Sequence, residues 1–362
     1  MNAQIALILG QDGIANGAIY ALLALCILLV FSVTRVLLIP QGEFVVYGAL
    51  CMASLQAGRA PSLVWLLAAF ALAEAIAETT GARRTGAGQG LAARGLPAQA
   101  AGTGRRAPWG LAARTAYPFV LAALLHALPV AALPMWLQAT LTLAIIAPMG
   151  PQLYRLFYQP VAEAPTLVLL IVSIAVHLAL VGLGLLAFGP EGARSEPIND
   201  ARLAWGPLNV AGQTLWIVAV AGLLMLALYR FFGRTLYGKA LRAAADNRAG
   251  ARLVGISPAF AGRTVFLLAA AIGAGSGILV GPATTLYYDS GFLISLKGFV
   301  AAIVGGLASY PLAVAGAVAV GLVESFSAFW ASAYKEIVVF TLIIPFLVWR
   351  SLRAQGIEEE EE

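Results

Sequence analysis

Glu43, Lys297 and Glu324 are ionisable side chains that stand within otherwise apolar stretches of the chain. Carrying a charge into hydrocarbon is expensive, so such a residue marks a solute pathway, a gate or a structural ion pair. Glu43 and Lys297 suit either a pathway or a structural pair. Glu324 reads as structural, packed near the small-residue face of Gly316 and Gly321. Asp289, flanked by Tyr287 and Tyr288, reads as interfacial, where aromatic residues belong. His126 and His177 are isolated on apolar helices, and a metal or proton-relay role needs partners that the sequence does not reveal. No nucleophile–base pair is apparent, and no G-x-x-x-x-G-K-[ST] loop is present to cradle a nucleotide. These residues imply a chain that catalyses nothing and holds no metal or cofactor of its own.

The elements that must position Glu43 and Lys297 are interrupted ones. Around Glu43, the segment Arg35–Gly48 contains Pro40, Gly42 and Gly48. Around Lys297, the segment Gly281–Gly298 contains Pro282, Asp289 and Gly291. Paired interruptions in the two halves of a membrane protein point to a transport path, because half-helix ends offer N–H and C=O groups to a solute. Gln41, Gly42, Glu43, Gly291, Phe292 and Lys297 are the candidate path residues.

A third element lies outside the apolar stretches. Residues 233–257 hold a helix-forming run, Leu236 to Asn247, rich in Ala and Leu. Leu236, Ala240, Ala243 and Asn247 share one stripe; Lys239, Arg242 and Asp246 share another. Asn247 is placed to cap a second short helix, Arg248–Val254, which Gly255 ends before Pro258. Such a helix pair either docks into a groove on a protein or lies on anionic lipid. Its apolar residues are mostly Ala, too small for strong lipid insertion, which favours a protein.

Composition sets the solvent. Of 362 residues, 61% are hydrophobic and 11% are charged. Soluble domains carry about 25% charged residues, so this surface is built for lipid. The net charge of +5 rises to +10 without the terminal run Glu358–Glu362. That excess reads as loop charge under the positive-inside rule rather than as a nucleic-acid surface. Cys26 and Cys51 read as small buried hydrophobes. No cleavable leader is convincing, since the first apolar run follows Asp12. Residues 13–34, 115–154, 164–190, 203–229, 264–288 and 298–323 carry no charge. With shorter apolar runs at 44–58, 60–73 and 337–349, they predict an all-α polytopic membrane protein of roughly 8–11 crossings, some broken or re-entrant. The Arg-rich segment 230–263 is assigned to the cytoplasm, with Arg155, the 83–114 stretch and the C-terminus on the same side.

The sequence resembles the permease subunits of branched-chain amino acid ABC importers. Gly17-Ala18-Ile19-Tyr20-Ala21-Leu22 is similar to the family's first helix, and Arg35-Val36 with Gln41-Gly42-Glu43-Phe44 to its second block. Tyr154-Arg155 with Gln159-Pro160 resembles its Tyr-Arg-Pro segment. Gly291-Phe292, Lys297-Gly298-Phe299 and Gly305-Gly306-Leu307-Ala308-Ser309 resemble its penultimate block. Residues 233–258 look like its cytoplasmic coupling loop.

The resemblance implies a multi-pass subunit of a bacterial plasma membrane. Two cytoplasmic ATPase subunits would bind ATP and Mg, and a second homologous permease would complete the path. A periplasmic or extracellular solute-binding protein would deliver the solute, with the lipid bilayer as surroundings and no nucleic acid. Leu241, Arg242, Ala244, Asp246, Asn247 and Arg248 would carry the ATPase contact, with Leu241 and Ala244 as packing residues. The expected organisation is N-terminal spans at 1–78, then a departure from the family pattern: a Gly/Ala/Arg-rich cytoplasmic loop at 79–114 and an apparent helix hairpin at 115–150, read from composition and charge-free spacing. Central spans at 151–232, the coupling loop at 233–258, C-terminal spans at 259–352 and an acidic tail at 353–362 follow. A permease for urea or short amides and an ion-coupled secondary transporter are the alternatives.

Overall fold

The computed structural model describes residues 3–92, 108–199, 201–205, 208–304 and 310–348. The acidic tail and Gly305-Gly306 lie outside the described residues. The fold is helical. In chain order the helices are α1 (Ala3–Thr34), α2 (Gln41–Gln56), α3 (Leu63–Ala92), α4 (Pro108–Ala127), α5 (Met135–Ile146) and α6 (Met149–Leu153). Then come α7 (Thr166–Phe188), α8 (Gly212–Arg234), α9 (Leu236–Asp246), α10 (Arg248–Leu253), α11 (Pro258–Val280), α12 (Gly291–Val304), α13 (Tyr310–Trp330) and α14 (Lys335–Thr341). A two-stranded antiparallel ribbon, β1 (Arg202–Trp205) and β2 (Leu208–Ala211), sits between α7 and α8. It marks one end of the bundle, here the ribbon end; α9 and α10 mark the other, the loop end.

Burial sorts the helices into a centre and a shell. Every residue from Gly17 to Val30 of α1 and from Gln41 to Ala53 of α2 is buried. A helix apolar on all sides belongs inside a larger assembly, and these two form the centre. α1 packs chiefly against α13, and α2 against α11. The α1–α13 contact is close because Gly13 and Gly17 face Gly321, so that backbone meets backbone. α7 and α8 form part of the shell, with large apolar side chains such as Leu186 and Leu223 turned outward. Only a hydrocarbon solvent makes such a surface stable.

α1, α7, α8, α11 and α13 are long and apolar enough to cross a bilayer as single helices. The remaining apolar segments are short or interrupted, as the proline and glycine positions predict. Two expectations change. The 79–114 stretch is helical at both ends, since α3 continues to Ala92 and α4 begins at Pro108. Alanine and arginine favour helix strongly enough to carry α3 past the scattered glycines. The residues expected to form a hairpin hold two helices, but α4 starts seven residues before the expected 115 and packs chiefly against α3, while α5 packs against α2 and α11.

Candidate functional site

The two interruptions meet. α1 ends at Thr34, Arg35 takes a left-handed conformation with φ 61°, and the chain runs without helix until α2 begins at Gln41. Gln41 Nε2 donates to the carbonyl of Ala269, the midpoint of α11, which sets the start of α2 halfway along the bundle. On the other side, α11 ends at Val280 and residues 281–290 fold back from the ribbon end. Arg194 donates to Pro282 O at 2.7 Å and an Ala193–Leu286 bridge pins this segment. α12 then begins at Gly291, directly against α2. A Cβ on Gly42 would fall on the Gly291 carbonyl, and one on Gly291 would lie 2.7 Å from Glu43 Oε1. Only glycine permits this contact between two helix starts. Each start carries partial positive charge, which the Glu43 carboxylate in the first turn of α2 offsets.

Glu43 is fully buried, and its Oε1 lies 2.9 Å from His177 Nδ1 on α7. The His177 ring stacks obliquely on Phe292 at 5.2 Å between centroids. Both Glu43 oxygens, His177 Nδ1 and Gln41 Oε1 are buried without a hydrogen bond among the described residues, so the Glu43–His177 approach is a close contact and Glu43 Oε2 has no neighbour of that kind. A buried carboxylate oxygen left unpaired is costly and awaits a donor. Beside this pair lies a cavity of about 320 Å³ with almost wholly apolar walls, including Ile27, Leu37, Leu170, Phe292 and Phe299; His177 and Ser295 are its polar members. Ser295 Oγ donates to Ile39 O at 3.0 Å and so ties α12 to the α1–α2 break.

Lys297 belongs to a different cluster. Its Nζ donates to Glu324 Oε1 at 2.5 Å and to Glu336 Oε1 at 3.1 Å. Glu324 Oε2 accepts from the Tyr20 hydroxyl at 2.5 Å. The cluster links α1, α12, α13 and α14, with two carboxylates around one ammonium. Glu324 is thus the direct partner of Lys297, and His177, read from sequence as isolated, is the close contact of Glu43. His177, Tyr20 and Glu336 were not legible as site residues, because no sequence period joins positions 134 or 304 residues apart. A further buried carboxylate, Glu74 of α3, pairs with Arg155 and lies 3.9 Å from Arg114 of α4. Through this pairing the Tyr154-Arg155 segment fastens α3 and α4 to the bundle, which is a structural role.

At the loop end, α9 is capped by Thr235, whose Oγ1 accepts from Gly238 N at 3.0 Å. Asn247 caps α10 as predicted, accepting from Gly250 N at 2.8 Å, and Gly255 at φ 86° ends it. The stripes differ from expectation. Gly238, Leu241 and Ala244 form the buried row, and Leu241 has no exposed surface. Leu241 and Ala244 therefore hold α9 to its own bundle and present nothing outward. Arg248 also turns inward, giving both Nε and Nη2 to the carbonyl of Val33 near the end of α1. Arg242, Asp246 and Asn247 are exposed. So are four large apolar side chains: Leu236 (84% exposed), which the sequence placed on a stripe without a role, and Tyr237, Leu253 (89%) and Val254, which it did not single out. The signal was available, since a Leu–Tyr and a Leu–Val pair bracket an otherwise small-residue loop.

Comparison with known proteins fits this architecture. A family model described as the permease component of branched-chain amino acid transport systems matches residues 106–347, more than half of the chain. The chain belongs to this family. The permease is 27% identical over 253 residues to BraD of Pseudomonas aeruginosa, a high-affinity branched-chain amino acid transport permease, covering 67% of this chain and 82% of that one. It is 29% identical over 215 residues to LivH of Escherichia coli K12, covering 57% of this chain and 69% of LivH. LivH of Salmonella typhimurium is 29% identical over 213 residues. No solved structure matches. The chain is thus a transport subunit of the ABC permease class and not an enzyme. The matched span of the permease takes in α4, α5, the α9–α10 loop and the α12 start.

Proposed function

We propose that this permease forms one half of the path for a branched-chain or closely related amino acid. The observation that carries this is the abutment of α2 and α12 at Gly42 and Gly291, beside an unpaired Glu43 oxygen and an apolar cavity. A zwitterionic solute fits that chemistry. Its ammonium would meet Glu43 Oε2, its carboxylate the helix-start N–H groups, and its hydrocarbon side chain the cavity. A volume near 320 Å³ is at the small end of ligand cavities, which run from about 300 Å³. The apolar walls favour a branched side chain over urea or a short amide.

The energy would come from two ATPase subunits at the loop end, which the positive-inside rule assigns to the cytoplasm. Leu236, Tyr237, Leu253 and Val254 would fill a groove on the ATPase, and Arg242, Asp246 and Asn247 would form the rim. α9 is fastened to the bundle through Leu241 and Ala244, and Arg248 grips Val33, so a push on the loop reaches the break after α1. A second homologous permease would complete the path, and a solute-binding protein would dock at the ribbon end.

The test is uptake of labelled leucine by vesicles holding the permeases, their ATPases and the binding protein. Glu43→Gln is expected to lower uptake about tenfold or more while assembly is kept, by loss of a charge-assisted contact. Unchanged uptake would sink the assignment of Glu43 to the path. Uptake that persists without ATP but needs an ion gradient would replace this reading with that of a carrier.

A further inference from the structure

A second cavity, of about 560 Å³, opens at the loop end. Three guanidinium groups line it: Arg35 from the break after α1, and Arg248 and Arg252 from α10. Arg248 is satisfied by a neutral carbonyl, so its charge is not cancelled. Arg252 meets Glu163 at 3.2 Å, but the Glu163 side chain is 85% exposed, and water screens such a pair. Glu163 is the one carboxylate among the lining residues. Burial pushes the Arg248 guanidinium down from its ordinary value; Tyr154 opposes this, and the nearby Arg35 and Arg252 add to it.

The backbone adds to the field. α7 and α11, each 23 residues long, begin on this cavity at Thr166 and Pro258, and neither has a side-chain N-cap. Helix starts attract oxyanions. Arg35 reaches the cavity from a left-handed backbone, a conformation that costs energy in a residue other than glycine.

We propose that this cavity binds a phosphate-class oxyanion, either a phospholipid headgroup or free phosphate, which bridges α10 to the break after α1. A tetrahedral oxyanion offers more acceptors than a carboxylate and suits several guanidinium forks at once. The site lies next to the solute cavity: Val36 lines one and Leu37 the other, as do Leu169 and Leu170. Occupancy would hold α10 against the 35–40 segment. The inference does not depend on which solute is carried.

The full chain, purified in detergent and stripped of lipid, provides the test. Its thermal unfolding is followed while inorganic phosphate, or short-chain phosphatidylglycerol below its micelle concentration, is titrated at constant ionic strength. A saturable stabilisation is expected. Arg35→Gln with Arg252→Gln is expected to weaken half-saturation about tenfold or more, while Arg230→Gln on the outside of α8 leaves it unchanged. Saturation by phosphate alone identifies a free anion; saturation by phosphatidylglycerol alone identifies a lipid headgroup. The single change Arg252→Gln, at an exposed side chain, keeps the test valid where the double variant folds poorly. No saturation with either probe, or equal shifts in every variant, overturns the proposal.

Discussion

Lys297 is the residue whose environment makes the sharpest demand. It is a buried ammonium held by Glu324 and Glu336, with Tyr20 bonded to the far oxygen of Glu324. Removing one member of a buried pair leaves the other uncompensated, at a cost of about 3–5 kcal/mol. Lys297→Met is therefore expected to lower the unfolding midpoint sharply in detergent, and Lys297→Met with Glu324→Gln to restore part of it. A double variant no more stable than the single one would show that the pair does not act as a unit. His177 poses a separate question because it is the contact of Glu43 Oε1. His177→Gln, which keeps a polar group beside the buried Glu43, is expected to impair uptake while leaving stability nearly intact. A stability loss as large as that of Lys297→Met would assign His177 a structural role instead. Neither pairing was legible in the sequence. Burial cost singled out Glu43, Lys297 and Glu324 individually, but partners so distant along the chain meet only through tertiary packing.

At the scale of elements, the breaks were legible and their meeting was not. Proline and glycine between Arg35 and Gly48 and between Gly281 and Gly298 announced two interrupted helices; nothing in either segment said that Gly42 would touch Gly291. Gly42→Val is expected to abolish uptake and Gly291→Val likewise, because a side chain at either position must displace backbone. The control is Gly275→Ala, where open space surrounds the position. The α9–α10 loop was half legible. Its helix bounds, the Asn247 cap and the Gly255 stop follow from local backbone chemistry and are present. Its buried face was misread because alanine occupies every side of α9 and dilutes the pattern that distinguishes inside from outside. The exposed Leu253 and Val254 carry the consequence: Leu253→Asp with Val254→Asp is expected to uncouple ATP hydrolysis from uptake without destabilising the chain. Co-purification of the ATPase, measured beside uptake, checks it; full retention of both would remove these residues from the contact.

At the scale of the whole molecule, composition made the membrane setting plain, because so few charges cannot solvate this surface. Orientation is the testable remainder. Cys26 and Cys51 are both fully buried, so single introduced thiols report against a quiet background. Tyr237→Cys is expected to react with an impermeant maleimide only from the cytoplasmic side, and Glu191→Cys only from the opposite side. The reverse pattern would invert the topology.

The burial of α1 also bears on how the chain is made. Tyr20 finds its acceptor 304 residues downstream. At about 5–20 residues per second of synthesis, the first helix waits on the order of 15–60 s for its partner. During that interval it has only lipid, the translocation machinery or a chaperone for company. Its charge-free stretch from Gly13 to Thr34 suits that wait, with Asn16 and the Tyr20 hydroxyl its largest polar groups. A helix that ends at the centre of the bundle must first be content at its edge.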